Sequence, residues 1–204
     1  MPGRFYLNSP MAEVGRWLGW TGPLPNDPPR LNVAPGQQIL VFGSEGLVSM
    51  RWGLIPVGRV NARGRPVMET IVNARSETVF DKSAYLGVRR AVVPVNGWYE
   101  WTGVVRRKAA WRIRPASGGL MGFAAITDTW LAPGGQALHQ VAMVTCPPSA
   151  DVSAVHDRMA VILRGDQVSV WLQGTQDQAA ALMQPYPAGL LTVEPALGVD
   201  WNGP

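Results

Sequence analysis

Glu100 is the residue of this chain best suited to move a proton. It sits in Gly97-Trp98-Tyr99-Glu100-Trp101, directly after Ala91-Val92-Val93-Pro94-Val95-Asn96. Strand alternation sets Trp98 and Glu100 on one face and Tyr99 and Trp101 on the other. A carboxylate beside tryptophan is desolvated, which disfavours its charged form and makes it a general acid or base. The alternative is a Glu paired with one of the chain's sixteen arginines. His156-Asp157-Arg158 offers an imidazole with an acid next door. It suits proton transfer at neutral pH, or else a loop histidine bonded to backbone. Asn73 either fixes a ligand oxygen through its amide or forms a turn. Cys146, followed by two prolines and far in sequence from any cation, reads as a buried structural thiol. No serine nucleophile elbow, Walker loop or dinucleotide fingerprint is present.

Composition narrows the classes further. One cysteine excludes an internal disulfide, and with only two histidines beside it a zinc cage is not expected. No metal and no cofactor is expected. The longest apolar runs fall well short of a membrane span, and no signal peptide opens the chain. These features suggest a cytoplasmic protein. The net charge of +4 hides an asymmetry: residues 51–114 carry thirteen basic and four acidic side chains, residues 115–204 two basic and seven acidic. Arginine binds phosphate bidentately and stacks on bases. Interleaved with Trp52, Trp98, Trp101 and Trp111, the central cations suit single-stranded nucleic acid; the bland alternative is a solvated arginine-rich surface.

The elements that must position these residues are mostly strands. Residues 10–20 have helical spacing with Val14, Trp17 and Leu18 on one face, stopped by Gly22-Pro23. Residues 23–35 read as a proline-rich connector, and 39–42 with 47–52 as a hairpin. Residues 53–66 form a basic loop, and 83–88 one or two helical turns. Residues 91–101 read as one strand with a bulge or kink at Pro94 and Gly97. Further strands are expected within 111–114, 122–130, 137–145 and 159–163. Asp166 reads as the cap of a helix through Leu172, and 176–183 as a last helix. Many strands, few helices and no βαβ alternation predict one α+β domain over residues 1–204, with mixed or antiparallel sheets.

Six motifs occur in order: Pro2-Gly3-Arg4-Phe5, Asn32-Val33-Ala34-Pro35, Trp52-Gly53-Leu54-Ile55-Pro56, Asn73-Ala74-Arg75-Ser76-Glu77-Thr78, Gly97-Trp98-Tyr99-Glu100-Trp101 and His156-Asp157-Arg158-Met159. Together, over nearly the whole chain, they resemble the SRAP (SOS-response-associated peptidase) family, sensors of abasic sites in single-stranded DNA. The resemblance implies a compact α+β domain with curved β-sheets. It also implies that a cysteine exposed by removal of the initiator Met captures the ring-opened sugar aldehyde as a thiazolidine, a DNA–protein crosslink. Asn73, Glu100 and His156 would line that pocket. Glu100 would assist proton transfer, Asn73 would orient the terminus, and His156 would act on the sugar hydroxyl or ring oxygen. Arg4, Arg75 and Thr145 match DNA-contacting positions, and Pro35 and Trp52 lie in motifs assigned to the DNA path. Arg89 and Arg90 are added as phosphate ligands on charge grounds. The partner implied is single-stranded DNA containing abasic sites, met by a monomer that is nucleoid-associated when bound.

The sequence departs from the family at position 2, which is Pro, and at Gly58, where relatives often carry Trp. No thiazolidine can form without the sulfur. If Met1 is removed, Pro2 becomes a secondary amine with a pKa of about 8, able to attack the C1′ aldehyde and give an iminium. An iminium supports β-elimination and so lyase character. If Met1 stays, the Pro2 nitrogen is an amide, and the chain is a non-covalent binder of single-stranded DNA or a junction. A peptidase that clips only its own Met1 is the third expectation, a hydrolase reading carried by the family name.

Overall fold

Runs of β-branched and aromatic residues, cut by glycine and proline, become short strands paired mainly with strands distant in sequence. The computed structural model describes residues 2–56, 70–104, 107–132 and 134–203. In chain order the elements begin β1 (Arg4–Leu7), α1 (Met11–Leu18), β2 (Arg30–Val33), β3 (Gln38–Gly43), β4 (Gly46–Trp52) and β5 (Asn73–Arg75). Then come β6 (Arg89–Val95), β7 (Gly97–Val104), β8 (Arg107–Pro115), β9 (Met121–Leu131) and β10 (Ala137–Cys146). The last are β11 (Met159–Ala160), β12 (Ile162–Leu163), α2 (Val168–Gln173), α3 (Gln176–Ala181) and β13 (Leu191–Pro195). The α+β class with mixed and antiparallel sheets is as expected.

One sheet is antiparallel, ordered β13-β8-β7-β1-β2. The other runs β11-β10-β4-β3-β6-β9-β12, with β5 on β10, and β9 pairs back onto β10. That extra pairing closes β10-β4-β3-β6-β9 into a ring, in which β4 meets β10 through Arg51 and Trp52 and β3 meets β6 through Phe42 alone. The strands of the ring read as continuous apolar runs because both their faces are covered. Val92, Val93, Phe123, Ala124, Ile126, Val141 and Met143 are all fully buried. Buried side chains of both sheets join one hydrophobic cluster.

Several local expectations are corrected. The helix ends at Gly19, in the left-handed region at φ 68°, whose N–H reaches Arg16 O and Gly15 O. Glycine takes this conformation without steric cost, so the stop comes three residues before Gly22-Pro23. β2 lies inside the proline-rich connector, and β13 went unanticipated. The stretch 159–163 is two short strands with different partners, β11 on β10 and β12 on β9. Asp166 lies within a 3-10 turn, Gly165–Gln167, and caps nothing; Thr175 caps the last helix by accepting from Gln178 N. The basic loop beyond Pro56, including Gly58, lies outside the described residues.

The most consequential correction is at Asn96. Residues 91–101 are two strands in different sheets, and Asn96 alone carries the chain across. Its Oδ1 accepts from Asn8 N and Ser9 N, and its Nδ2 donates to Ser9 Oγ and Gly119 O. Gly97 follows because nothing larger fits: a Cβ there would lie 2.4 Å from Ile113 O and 2.6 Å from the Tyr6 hydroxyl. A backbone oxygen in a paired strand cannot step aside cheaply. Gly97→Ala is therefore expected to destabilise the fold by about 3 kcal/mol in urea unfolding. A loss under about 0.5 kcal/mol would show that β7 can slide.

Candidate active site at the start of β1

The site forms where three strands bring distant residues together. β1 pairs with β7 in the register Arg4↔Tyr99, Phe5↔Trp98 and Tyr6↔Gly97. Gly3 and Pro2 come immediately before the first paired residue of β1. β5 pairs with β10 through Met143↔Asn73 and Thr145↔Arg75, and β11 pairs with the same end of β10 through Thr145↔Ala160. His156 lies three residues before β11. The end of β10 thus gathers Asn73 and His156 from segments far apart in sequence.

Pro2 is buried, and its carbonyl accepts a 2.9 Å hydrogen bond from Asn73 Nδ2. Asn73 Oδ1 is itself buried without a hydrogen-bond partner among the described residues. An unsatisfied buried acceptor costs about 1–3 kcal/mol, and a ligand hydroxyl would relieve that cost. Glu100 is 3% exposed. Burial pushes its carboxyl up to about 7, opposed in part by the positive charge of the chain's amino terminus and, less, by the neighbouring Trp98 indole. Near neutrality it therefore exists as both acid and conjugate base.

His156 Nε2 stands 3.9 Å from Glu100 Oε2, close enough to interact but too far for a direct hydrogen bond. Its Nδ1 lies 2.7 Å from Asp157 Oδ1 and 3.0 Å from Arg158 N. A protonated Nδ1 donates to the carboxylate. An unprotonated one accepts from the amide, and the hydrogen then sits on Nε2, toward Glu100. Burial holds the imidazole below its ordinary pKa, so it is chiefly neutral at pH 7. The two side chains can pass a proton or position a water between them. Among the described residues, no group of three or more His, Cys, Asp or Glu could hold a metal ion, and no helix is long and apolar enough to cross a membrane.

The residues expected on the DNA path divide into two groups. Arg75 is exposed and shares a face of β5 with Asn73, while Ala74 points the other way into the core. Arg4 is half-buried, and its guanidinium donates to Asn32 Oδ1 at 2.6 Å. Pro35 is exposed in the turn between β2 and β3. Trp52 and Thr145, in contrast, are fully buried. Trp52 donates its indole N–H to Val72 O and packs against Phe5, so it supports β1 from within and offers no face to a base. Thr145 donates to Ala74 O and holds Arg158 through its carbonyl and hydroxyl.

Arg89 and Arg90 sit elsewhere. They line a separate cleft of about 1350 Å³ between α1, the β3–β4 hairpin, residues 79–90 and α2, which includes none of Pro2, Asn73, Glu100 or His156. Arg89 pairs with Glu45 and Arg90 donates to Gly174 O and Thr175 O, so both are partly engaged within the protein. The charge asymmetry also cancels in part across space. Glu194 of β13 takes both Arg112 and Arg114. Arg158 was the residue not singled out. It joins Glu77 through its two terminal guanidinium nitrogens, Nη1 and Nη2, and holds that carboxyl down at about 2, tying the β5 end to the His156 loop. Its place beside His156 in the motif was the available signal.

Comparison with known proteins identifies the pattern. A family model described as SOS response associated peptidase (SRAP) matches residues 1–197. The chain is 32% identical over 201 residues to abasic site processing protein YoqW of Bacillus subtilis, covering 92% of this chain and 88% of that one. It is 30% identical over 188 residues to mouse abasic site processing protein HMCES, covering 76% of this chain and 53% of that longer protein. A solved structure from Bacteroides thetaiotaomicron matches with a TM-score of 0.82 at 18% identity, over 96% of this chain and 92% of its own. Another from Bordetella bronchiseptica matches with a TM-score of 0.76 at 19% identity, over 95% of this chain and 99% of its own. These solved structures share the fold. The chain belongs to the SOS response associated peptidase (SRAP) family.

Proposed function

We propose that this protein processes abasic sites in single-stranded DNA, and that Pro2, freed of Met1, captures the sugar aldehyde. The observation that carries this reading is the 2.9 Å bond from Asn73 Nδ2 to the Pro2 carbonyl. It holds residue 2 through its backbone carbonyl, whatever side chain stands there, which supports a shared role for position 2 and Asn73.

The chemistry balances with the residues present. The Pro2 nitrogen lone pair adds to C1′ of the open-chain deoxyribose, the carbonyl oxygen takes a proton from neutral Glu100, and the nitrogen gives its own proton to the resulting carboxylate, leaving a neutral carbinolamine. A second protonation of that oxygen expels water, with His156 and Glu100 as the nearby proton carriers, and leaves an iminium cation. Loss of the C2′ proton to a base gives an enamine; its nitrogen pair then re-forms the iminium while the C3′–O bond breaks, so the 3′ phosphate leaves and a conjugated iminium remains. Water then hydrolyses the adduct and returns the free amine. The reading is a transient crosslink with lyase character, not a durable one.

Position 2 also favours a second reading, a non-covalent binder, because Pro supplies no thiol. Intact mass of natively expressed protein separates the two: retention of Met1 makes the Pro2 nitrogen an unreactive amide and supports the binder. Self-removal of Met1 by peptidase action is the weakest reading, again for want of a thiol. In both leading readings Arg75 meets phosphate at the mouth of the pocket. Arg75→Ala is expected to weaken binding to abasic single-stranded DNA and to flatten the slope of log K against log salt by about 1. An unchanged slope would move the DNA path off β5.

A further inference from the structure

We infer that residues 198–203 form a brace behind the pocket, with Trp201 and Asn32 as positioning residues for Glu100 and Arg4. The family model matches residues 1–197, so this segment follows directly on the matched region. It packs directly on the reverse side of the strand that carries the acid.

Two sets of contacts carry the inference. Tyr99 and Trp101 flank Glu100 on β7 and project to the opposite face. The Trp201 ring meets both, edge-on to Tyr99 at 5.0 Å and tilted on Trp101 at 5.3 Å. The second set runs through Asn32, a buried amide. Its Nδ2 donates to Gly203 O at 2.8 Å and Asp200 O at 3.1 Å, while its Oδ1 accepts from Arg4 at 2.6 Å. With both N–H groups committed to the tail, the amide can present only its oxygen to Arg4. Asp200 Oδ1 accepts from Asn202 N and shapes the tail's turn, and Tyr99 O–H donates to Leu31 O beside Asn32. The tail therefore holds β7 from one side and the Arg4 guanidinium from the other.

Without the brace, two aromatic faces meet water, a buried amide loses two acceptors, and β7 is free to shift. A misplacement of about 1 Å at a reacting centre can cost about 100-fold in rate. The kinetic part of this inference rests on the function proposed above, whereas its structural part does not. The groups acting on Glu100 are the chain's amino terminus, the Trp98 indole of its own strand, His156 and Asp157, and none of them is altered by the test.

The test uses the full chain and its Trp201→Ala, Trp201→Phe and Asn32→Asp variants. Asn32→Asp keeps an oxygen for Arg4 but turns a carboxylate on the two tail carbonyls. Glu100 is titrated by carboxyl NMR, and borohydride trapping on abasic single-stranded DNA is timed in parallel. Trp201→Ala is expected to lower the Glu100 titration midpoint by at least about one unit as water reaches it. It should also slow trapping about tenfold, and Trp201→Phe should restore both. Asn32→Asp is expected to slow trapping while leaving the Glu100 midpoint in place. Folded Trp201→Ala with the wild-type midpoint overturns the brace at β7, and Asn32→Asp with wild-type trapping overturns its link to Arg4. If Trp201→Ala does not fold, the Asn32→Asp result decides. Should the wild type trap nothing while the midpoint still falls in Trp201→Ala, the proposed chemistry fails and the brace stands.

Discussion

Glu100→Gln is expected to slow iminium formation on abasic single-stranded DNA by about 100-fold, the lower end of what a positioned acid–base group contributes. The substitution keeps shape and burial but removes the titratable acid proton. The wild-type rate should follow a bell. Below a pKa of about 8 the Pro2 amine is increasingly protonated and cannot attack. Above about 7 Glu100 loses the proton it must deliver. The maximum falls between the two, at about pH 7.5. In Glu100→Gln the alkaline limb disappears and the acid limb remains. A Gln variant with the wild-type rate and both limbs would assign the acid role elsewhere.

The same substitution has a thermodynamic signature of definite sign. Glu100 binds its proton more tightly in the folded than in the unfolded protein, so stability falls as pH rises from 4.5 to about 7. At 1.36 kcal/mol per unit the penalty above pH 7 is about 3 kcal/mol. Gln carries no such penalty, and the variant should be more stable than wild type at pH 8 and near equal at pH 4. His156, held below 6.5 mainly by burial, acts in the opposite sense by lowering stability as pH falls through the ordinary imidazole range. An acid that lowers stability while raising rate is the pattern of a functional group, and a structural Glu would show the reverse.

Pro2→Cys is expected to convert a transient adduct into a permanent one. With Met1 removed, the new terminus carries an amine and a thiol on adjacent carbons. After the amine condenses with C1′, the thiol adds to the same carbon and closes a thiazolidine, so no reductant is needed. The Asn73 bond goes to a backbone carbonyl, which Cys keeps. Nearly all of the protein should shift on a denaturing gel without borohydride, where the wild type shows none. A Cys variant that forms no stable adduct, although freed of Met1, would mean that the pocket does not bring C1′ to residue 2.

The site was more legible than the surface around it. Glu100 could be picked out because an acid between aromatic residues in a strand has few places to go, and Trp98 does lie fully buried beside it. Asn73 and His156 could be named from their motifs, but only the strands that pair with the end of β10 explain why both segments lie beside it. Trp52 and Thr145 looked like contact residues because sequence does not distinguish a tryptophan that stacks on a base from one that stacks on Phe5. The double strand through Asn96 was hidden for a related reason: a kink and a change of sheet share the same proline and glycine. Glu194 neutralises Arg112 and Arg114 across 80 or more residues, a pairing that no local charge count contains. Trp201 gave no signal at all, since its partners are fixed only once β7 and the tail are packed.

The most direct measurement of the central claim is borohydride trapping with protein whose removal of Met1 has been verified by mass. Abasic single-stranded DNA should yield a covalent adduct on Pro2 that depends on reductant, increases toward pH 7.5 and is lost when the aldehyde is first capped with an alkoxyamine. Met1-free protein that binds the same DNA and yields no adduct at any pH would contradict capture by the terminal amine.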